Sequence, residues 1–290
     1  MSQRDGEGRT ALVTGASAGI GAELARVFAA KGFDLVLTAR RAERLDALAD
    51  ELRTRHAVGV RTIPADLALP ETPRAVLSAI EGQGIAVDAL VNNAGYAVPG
   101  RYRDTSWEVQ RDFLQVLMTA PCELIHRVLP GMTKRGYGRI LNVASVAGLM
   151  PGAATHTLYG GTKAMLIKIS QALHSEQKGT GVHVTALCPG FTYSEFHDVT
   201  GTREEMRRMP KAMWLAADRV AREGYDAVMK NRAISIPGAQ YSSVPRLSIA
   251  RTTSPLTVVS PPMTVGPGTM AKSMSWLTVT SRKAWPPEQL

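Results

Sequence analysis

The fold is decided by residues 10–21, which read Thr-Ala-Leu-Val-Thr-Gly-Ala-Ser-Ala-Gly-Ile-Gly. The first five residues have the composition of a short buried strand, and apolar residues at helical spacing follow the glycines through Lys31. Glycines between a strand and a helix let the backbone approach a pyrophosphate, which the N–H groups and dipole of the helix attract. An ordinary glycine-rich turn is the alternative. The residues predicted to bind a dinucleotide here are Gly15, Ser17, Gly19, Ile20 and Gly21.

The alternation of strand and helix continues beyond this first unit. Further buried strands are predicted at 34–38, 60–65, 87–91, 138–145, 182–187 and 233–236, with helical patterns between most of them. This alternation indicates an α/β fold: a single doubly wound, Rossmann-like parallel sheet with helices on both faces. We assign residues 1–243 to this one cofactor-binding and catalytic domain.

Two helical segments are predicted with less regular boundaries. Residues 105–132 are expected to form one long helix, bent near Pro121 and ended by Pro130, because proline lacks a backbone donor. Residues 203–230 are expected to form one or two helices rich in methionine and charge.

The chain changes character at residue 244. Serine, threonine, proline and methionine dominate residues 244–290, and Glu288 is the only acid there. No helical or strand period persists, so a poorly ordered C-terminal tail is predicted. A basic contact with a membrane or a partner is the alternative.

Composition narrows the function classes. Hydrophobic residues make up 44% of the 290 positions, and no apolar run reaches the roughly 18 residues that a membrane span needs. The N-terminus does not resemble a signal peptide, and Cys122 and Cys188 lie in apolar segments, so a cytoplasmic location without disulfides is expected. The net charge of +9 suggests an anionic partner. Scattered basic residues favour a phosphorylated cofactor or an anionic lipid surface over nucleic acid.

The end of the second predicted strand indicates which dinucleotide binds. A carboxylate about 20 residues after the glycines would hold the ribose hydroxyls of NAD, but Ala39, Arg40 and Arg41 occupy that place. A guanidinium offers a planar fork of donors to a 2′-phosphate, so NADP(H) is predicted, with Arg40 as a ligand. The alternative is that both arginines lie at the solvated start of a helix without binding the cofactor, and this alternative is stronger for Arg41 than for Arg40.

Polar residues follow the third and fourth strands, at the edge where parallel sheets bind ligands. Asp66 is expected to accept a hydrogen bond from the adenine amino group, with Leu67 beside the ring; a helix N-cap is the alternative for Asp66. An Asn-Asn-Ala-Gly motif ends the fourth strand. Its last three residues are expected to lie close to a ribose: Asn93, Ala94 and Gly95.

The candidate acid or base is Tyr159, four residues before Lys163. This spacing places both side chains on one helix face, one turn apart. An ammonium so close is expected to lower the pKa of the phenol from its reference of about 10, which would suit proton transfer near neutral pH. The spacing alone is a weak signal, since it occurs by chance on many helices. No histidine or cysteine has metal-ligand spacing, so no metal is predicted.

Five motifs occur in order and together resemble the short-chain dehydrogenase/reductase family over residues 9–240. They are the glycine turn at 15–21, Asn-Asn-Ala-Gly at 92–95, Ser145, Tyr-x-x-x-Lys at 159–163 and Pro-Gly at 189–190. The resemblance implies hydride transfer between a nicotinamide and a carbonyl carbon, and a homodimer or homotetramer. The arginine pattern is similar to that of the NADP-preferring members.

The resemblance also assigns residue roles. It implies that Ser145 donates a hydrogen bond to the substrate oxygen, that Tyr159 exchanges the proton, and that Lys163 holds the nicotinamide ribose. It implies that the carboxamide end of the cofactor contacts the segment after the sixth strand. The residues concerned are Pro189, Gly190 and Thr192, with Ser194 as a further donor.

One position departs from the family pattern. The resemblance places at position 117 an asparagine that supports a water-mediated proton relay, and this chain has Leu117 there. A leucine side chain cannot hold a water, so the relay is expected to be altered or absent. Gln115 faces another side of the helix and is not expected to substitute.

The predicted function is an NADP(H)-dependent oxidoreductase that interconverts a ketone or aldehyde with an alcohol. An apolar or acyl-type substrate is the leading expectation. Aromatic and methionine side chains between residues 191 and 214 either line its pocket or pack on the sheet or on another subunit. A nucleotide-binding sensor or scaffold with little catalysis is the second hypothesis, which Leu117 keeps open. Nucleic-acid binding is disfavoured.

Overall fold

A computed structural model describes residues 5–152, 154, 156–193 and 210–241. The strands are β1 (Thr10–Thr14), β2 (Asp34–Ala39), β3 (Val60–Pro64), β4 (Ala89–Asn92), β5 (Gly138–Val143), β6 (Val182–Leu187), β7 (Thr192–Tyr193), β8 (Leu215–Ala216) and β9 (Ile234–Ser235). The helices are α1 (Gly19–Ala30), α2 (Ala42–His56), α3 (Thr72–Glu81), α4 (Trp107–Leu114), α5 (Ala120–Arg135), α6 (Tyr159–Glu176) and α7 (Ala217–Met229).

Seven of these strands form one parallel sheet in the order β3-β2-β1-β4-β5-β6-β9, and β7 pairs separately with β8. The chain runs outward from β1 to β3 and then returns to β4 on the other side of β1. The strand order therefore reverses between β1 and β4. The predicted fold class, a doubly wound parallel sheet, is confirmed.

Helices cover both faces of the sheet, as β1 illustrates. Ala11 and Val13 belong to a core cluster that includes residues of α1, α2 and α7, whereas Leu12 belongs to a second cluster with α3 and α5. Successive strand residues point to opposite faces, and here both faces are buried. This is why the strands read as continuous apolar runs in the sequence.

The long helix predicted for residues 105–132 has a different shape. α4 continues through a π-helical turn, Gln115–Thr119, into α5, so the irregularity precedes Pro121. Pro121 lies in the first turn of α5, where a missing N–H costs little. The prediction that Pro130 ends the helix is wrong. Pro130 lies inside α5, which ends at Gly136 in the left-handed conformation, with a φ of 68°.

Other boundaries differ from the predictions by one to three residues. The strand predicted at 138–145 ends at Val143, and the strand predicted at 233–236 keeps only two residues. Of the helical segment 203–230, residues 217–229 form α7. Ser194 and the predicted tail at 244–290 lie outside the described residues.

Candidate active site

The site begins at the reversal point between β1 and β4, where open parallel sheets bind ligands. Thr14 joins the two strand ends: its hydroxyl donates to Val91 O (3.2 Å) and accepts from the N–H groups of Asn93 (3.0 Å) and Ala94 (3.1 Å). The Asn93 side-chain amide donates to Thr14 O (3.0 Å) and Gly15 O (3.1 Å). The glycine turn and the Asn-Ala-Gly segment are therefore one hydrogen-bonded unit. The sequence does not single out Thr14, because a threonine at a strand end is common.

Two glycines of the turn are required by close approach. Gly15 has a φ of 64°, and a Cβ there would lie 2.8 Å from Ala94 Cα. A Cβ on Gly21 would lie 2.3 Å from both Asn93 Nδ2 and Gly15 O. α1 begins with no side-chain cap and no acidic residue in its first turn, so its first N–H groups suit an anion. A dinucleotide pyrophosphate fits this cradle.

Two arginines flank the end of β2, and both are exposed. The Arg41 guanidinium donates to Ser17 Oγ from Nε (3.3 Å) and from a terminal nitrogen (3.1 Å). Burial raises the pKa of Tyr96, and the charge of nearby Arg40 opposes that rise. Arg41 therefore reaches the glycine turn, while Arg40 lies on the side of Tyr96. The structure gives Arg41 a contact with the site that the sequence argument did not favour.

Asp66 and Leu67 lie after β3 with different environments. Asp66 Oδ1 accepts from the Ala68 N–H (3.0 Å), which holds the turn there; α3 begins only at Thr72, so Asp66 is not its N-cap. Leu67 is buried in a cluster with Phe113. Adenine binding by Asp66 and Leu67 stays a prediction.

Lys163 lies one turn into α6 and points to the end of β5. Its Nζ donates to Val143 O (2.8 Å), lies 5.6 Å from the centre of the Tyr159 ring, and would lie 3.8 Å from a Cβ on Gly95. Lys163 is thus next to the Asn-Ala-Gly segment as well as to Tyr159. Burial lowers the pKa of Lys163 to about 8.

The ionisation of Tyr159 differs from the sequence-based expectation. Burial raises the pKa of Tyr159 to about 12, and a hydrogen bond with Ser145 opposes the rise. The expectation that this pKa falls below its ordinary value is therefore wrong for this structure, because burial disfavours the phenolate more than the hydrogen bond with Ser145 favours it. At neutral pH, Tyr159 therefore carries its proton, as a phenol that could donate it.

Ser145 lies two residues beyond β5, where it begins the 3₁₀ turn Val146–Gly148. Its Oγ accepts from the Ala147 N–H (3.1 Å). Gly148 lets this turn lie directly on α6, since a Cβ there would be 2.6 Å from the carbonyl carbon of Lys163. The packing brings Ser145, Tyr159 and Lys163 together. No motif in the sequence points to Gly148.

The segment after β6 joins the Ser145 turn. Pro189 O accepts from the Val146 N–H (3.0 Å), and Thr192 Oγ1 donates to Gly190 O (3.0 Å). The first contact places Pro189 beside the turn that Ser145 begins, and the second fixes Thr192 on Gly190 within the same segment. Their contact with a cofactor stays a prediction.

Tyr241, which belongs to none of the sequence motifs, holds the segment after β6 in place. A Cβ on Gly190 would lie 1.9 Å from Tyr241 Cζ, so the buried tyrosine ring requires a glycine there. The Tyr241 hydroxyl accepts from the Phe191 N–H (2.8 Å) and donates to Met213 O (2.6 Å). No short-range sequence signal could have found Tyr241, which lies about 50 residues from its partners at Gly190 and Phe191.

Leu117 is buried in the π-helical turn, where it packs with Phe113 and Val116. Together with Lys163 and Asn92 it lines a small cavity behind the Asn-Ala-Gly segment. The apolar character expected at position 117 is therefore present next to the candidate catalytic lysine.

The described part of the chain shows no cluster of three or more metal-ligating side chains. None of its helices is both long enough and apolar enough to cross a membrane. Cys122 and Cys188 are free thiols.

Comparison with known proteins matches residues 9–205 to the family model for short chain dehydrogenases. The sulfoacetaldehyde reductase of Chromohalobacter salexigens is 38% identical over 187 residues, which are 64% of this chain and 73% of that protein. A short-chain dehydrogenase from Sphingobium yanoikuyae, solved in complex with NADPH, is 33% identical with a TM-score of 0.73, covering 81% of this chain and 89% of that one. The bulky-bulky ketone specific alcohol dehydrogenase from Comamonas testosteroni is 27% identical with a TM-score of 0.69, covering 85% and 99%.

Proposed function

The chain belongs to the short-chain dehydrogenase/reductase family, and we propose that it is an NADP(H)-dependent oxidoreductase that interconverts a carbonyl compound with an alcohol. The observation that carries the proposal is the meeting of Ser145, Tyr159 and Lys163 next to Gly95. In this arrangement Ser145 would donate a hydrogen bond, Tyr159 would donate a proton, and Lys163 would supply a buried positive charge. Lys163 also lies beside the Asn-Ala-Gly segment, which is itself bonded to the glycine turn.

In the proposed reduction, NADPH would supply the hydride when it is bound. Tyr159 donates its proton to the carbonyl oxygen, a role that suits a phenol whose pKa burial raises to about 12. The Ser145 hydroxyl donates a hydrogen bond to the same oxygen as negative charge develops there. Lys163 holds the nicotinamide ribose and keeps a positive charge beside the phenol.

Two observations support the choice of NADP(H). Arg41 donates to Ser17 of the glycine turn, Arg40 directly follows β2, and the neutral Ala39 stands where NAD-binding sites carry a carboxylate. A guanidinium at either position would suit a 2′-phosphate, because it offers a planar fork of donors. The relative from S. yanoikuyae was solved with NADPH.

We propose an apolar carbonyl substrate, on the evidence of an aromatic group beside Thr192. The Trp214 ring lies 4.8 Å from Tyr193, stacked on it, and 5.7 Å from Phe191, between ring centres. Tyr193 is 53% exposed, so this group offers apolar surface to a ligand. Three further residues, for which lining the pocket and packing on the sheet or another subunit are the two alternatives, lie outside the described residues: Phe196, Met206 and Met209.

The experiment that tests the function is NADPH oxidation against ketones and aldehydes of increasing chain length, with sulfoacetaldehyde as a charged comparison. Turnover that rises with chain length and is lost in Tyr159→Phe supports the proposal. If only sulfoacetaldehyde is turned over, the proposal of an apolar substrate is wrong, while the proposed reductase activity stands. Tight NADPH binding without turnover would favour the rival function, a cofactor-binding sensor or scaffold, which the buried Leu117 beside Lys163 motivates.

We further propose that the enzyme acts in the cytoplasm, as a homodimer or homotetramer, through one domain at residues 1–243 with a separate tail. The two free thiols fit a reducing compartment. The assembly rests on the family resemblance, and light scattering on the purified full-length chain tests it: a monomer at micromolar concentration would contradict it.

A further inference from the structure

A chain of buried hydrogen bonds runs from α6 to the end of β4. The Ser170 hydroxyl donates to Leu166 O (2.6 Å) and accepts from Asn142 Nδ2 (2.9 Å). Asn142 Oδ1 in turn accepts from Asn92 Nδ2 (2.9 Å). Because Ser170 has a single proton and gives it to the backbone, the direction of the chain is fixed, and with it the orientation of both amides.

This direction leaves the Asn92 side-chain oxygen at the end of the chain. Asn92 is buried, and its Oδ1 has no hydrogen-bond partner among the described residues. Buried polar atoms nearly always have a partner, and where the protein supplies none an ordered water commonly does. We therefore expect Asn92 Oδ1 to accept a hydrogen bond from a donor outside this chain of side chains.

A cavity adjoins Asn92. Asn92, Leu117 and Lys163 line it, and most of the remaining wall is apolar. Its cavity volume of about 10 Å³ is about the least that can hold a single water. A water there would meet two polar partners, since Lys163 and Asn92 face the same small volume.

Lys163 has donors to spare for such a water. Its ammonium carries three N–H groups, and the described acceptor is Val143 O (2.8 Å). The titratable groups that face it are Tyr159 on its own helix and Cys188 at the end of β6. Burial raises the pKa of the Cys188 thiol to about 12, so that thiol is neutral and supplies no counter-charge at neutral pH.

We propose that Asn92 is a positioning residue that holds one buried water against the Lys163 ammonium. Lys163 donates to the water oxygen, the water donates to Asn92 Oδ1, and Asn142 and Ser170 fix that oxygen in place. Leu117 then serves as the apolar wall of the water site. The support of Lys163 in this chain thus comes from a β4 side chain rather than from position 117.

A high-resolution crystal structure of the full chain tests the water directly. We expect a water within about 3.2 Å of both Asn92 Oδ1 and Lys163 Nζ. A dry cavity, or a water that touches only one of the two, would overturn the proposal. This readout does not depend on catalysis, so it stands even if the proposed reductase activity fails.

The kinetic test rests on the proposed function and uses two substitutions with opposite expectations. Asn92→Leu removes the acceptor, so the ammonium should lose its proton more easily and the alkaline fall in turnover should move to lower pH, by roughly one unit. Asn92→Asp keeps an acceptor and adds negative charge, so the same fall should move to higher pH. NADPH affinity should change little in either variant.

Thr185→Val is the matched control. It removes a buried hydroxyl from β6, where Thr185 Oγ1 donates to Arg232 O (2.6 Å), and should lower stability without moving the pH profile. Equal profiles for Asn92→Leu, Asn92→Asp and the wild type would overturn the role assigned to Asn92. If neither Asn92 variant folds, the crystallographic water decides.

Discussion

Replacing Arg40 or Arg41 with alanine should weaken NADPH binding and leave NADH binding nearly unchanged. The two cofactors differ only in the 2′-phosphate, so a residue that binds this group affects one of them alone. Arg41 already contacts Ser17 in the glycine turn, and Arg40 directly follows β2. The expected loss of affinity is therefore confined to NADPH, and the NADH affinity of the same variant serves as the internal control.

The magnitude follows from the exposure of the two side chains. A hydrogen bond to a charged group contributes about 1.5–3 kcal/mol, and solvent screening places exposed arginines such as these at the lower end. Each single substitution should then raise the NADPH Kd about tenfold, and the double substitution by up to about a hundredfold. Added salt should shrink both effects.

Titration of nicotinamide fluorescence with NADPH and with NADH measures both affinities. Arg222→Ala is the matched control, because it removes an exposed arginine on α7 that is ion-paired with Asp218. It changes the net charge equally and should leave both affinities unchanged. If Arg40→Ala and Arg41→Ala weaken NADH as much as NADPH, the assignment of these arginines to the 2′-phosphate is refuted.

Four further outcomes are expected. Asn93→Ala removes two hydrogen bonds to the glycine turn, so chemical denaturation should show a loss of roughly 1–3 kcal/mol and both cofactors should bind more weakly; an effect on NADPH alone would contradict this. Tyr241→Phe should cost a similar roughly 1–3 kcal/mol, because the Phe191 N–H and Met213 O lose their partner; unchanged stability would contradict it. Lys163 acts as a cation and burial lowers its pKa to about 8, so turnover should be highest below that pH and fall as pH rises through it; a flat profile up to pH 10 would contradict the role. Removing residues 246–290 should leave NADPH affinity intact; loss of binding would show that the tail contributes to the site.

Much of the fold could be predicted because local sequence and tertiary structure agree. The unit from Thr10 to Gly21 has a buried strand, a glycine turn and the start of a helix, in the order that the sequence pattern predicts. The bounds of α2 and β6 also agree with the sequence pattern. For β6 the reason is that both faces of the sheet are buried, so the strand is a continuous apolar run. The helix end predicted at Pro130 is wrong, because α5 continues through this proline and ends at Gly136.

The sequence predicts candidate residues that the structure brings together, but it does not predict the pKa values of their side chains or their long-range contacts. The pKa of Tyr159 depends on burial, which two residues one turn apart do not reveal. Likewise, the requirement for glycine at position 190 comes from Tyr241, a contact across about 50 residues of chain. The contact of Arg41 with Ser17 depends on how α2 leaves the sheet, and no sequence spacing encodes that.

The measurement that tests the central claim most directly is NADPH oxidation with the best ketone of the panel, in the wild type and in Tyr159→Phe. The variant removes one hydroxyl and keeps the ring, so cofactor binding should be retained and serves as the control for folding. The account predicts that turnover falls by about 100-fold or more, the scale on which general acid catalysis acts. Turnover in Tyr159→Phe equal to that of the wild type would contradict the assignment of Tyr159 as the proton donor and, with it, the proposed mechanism.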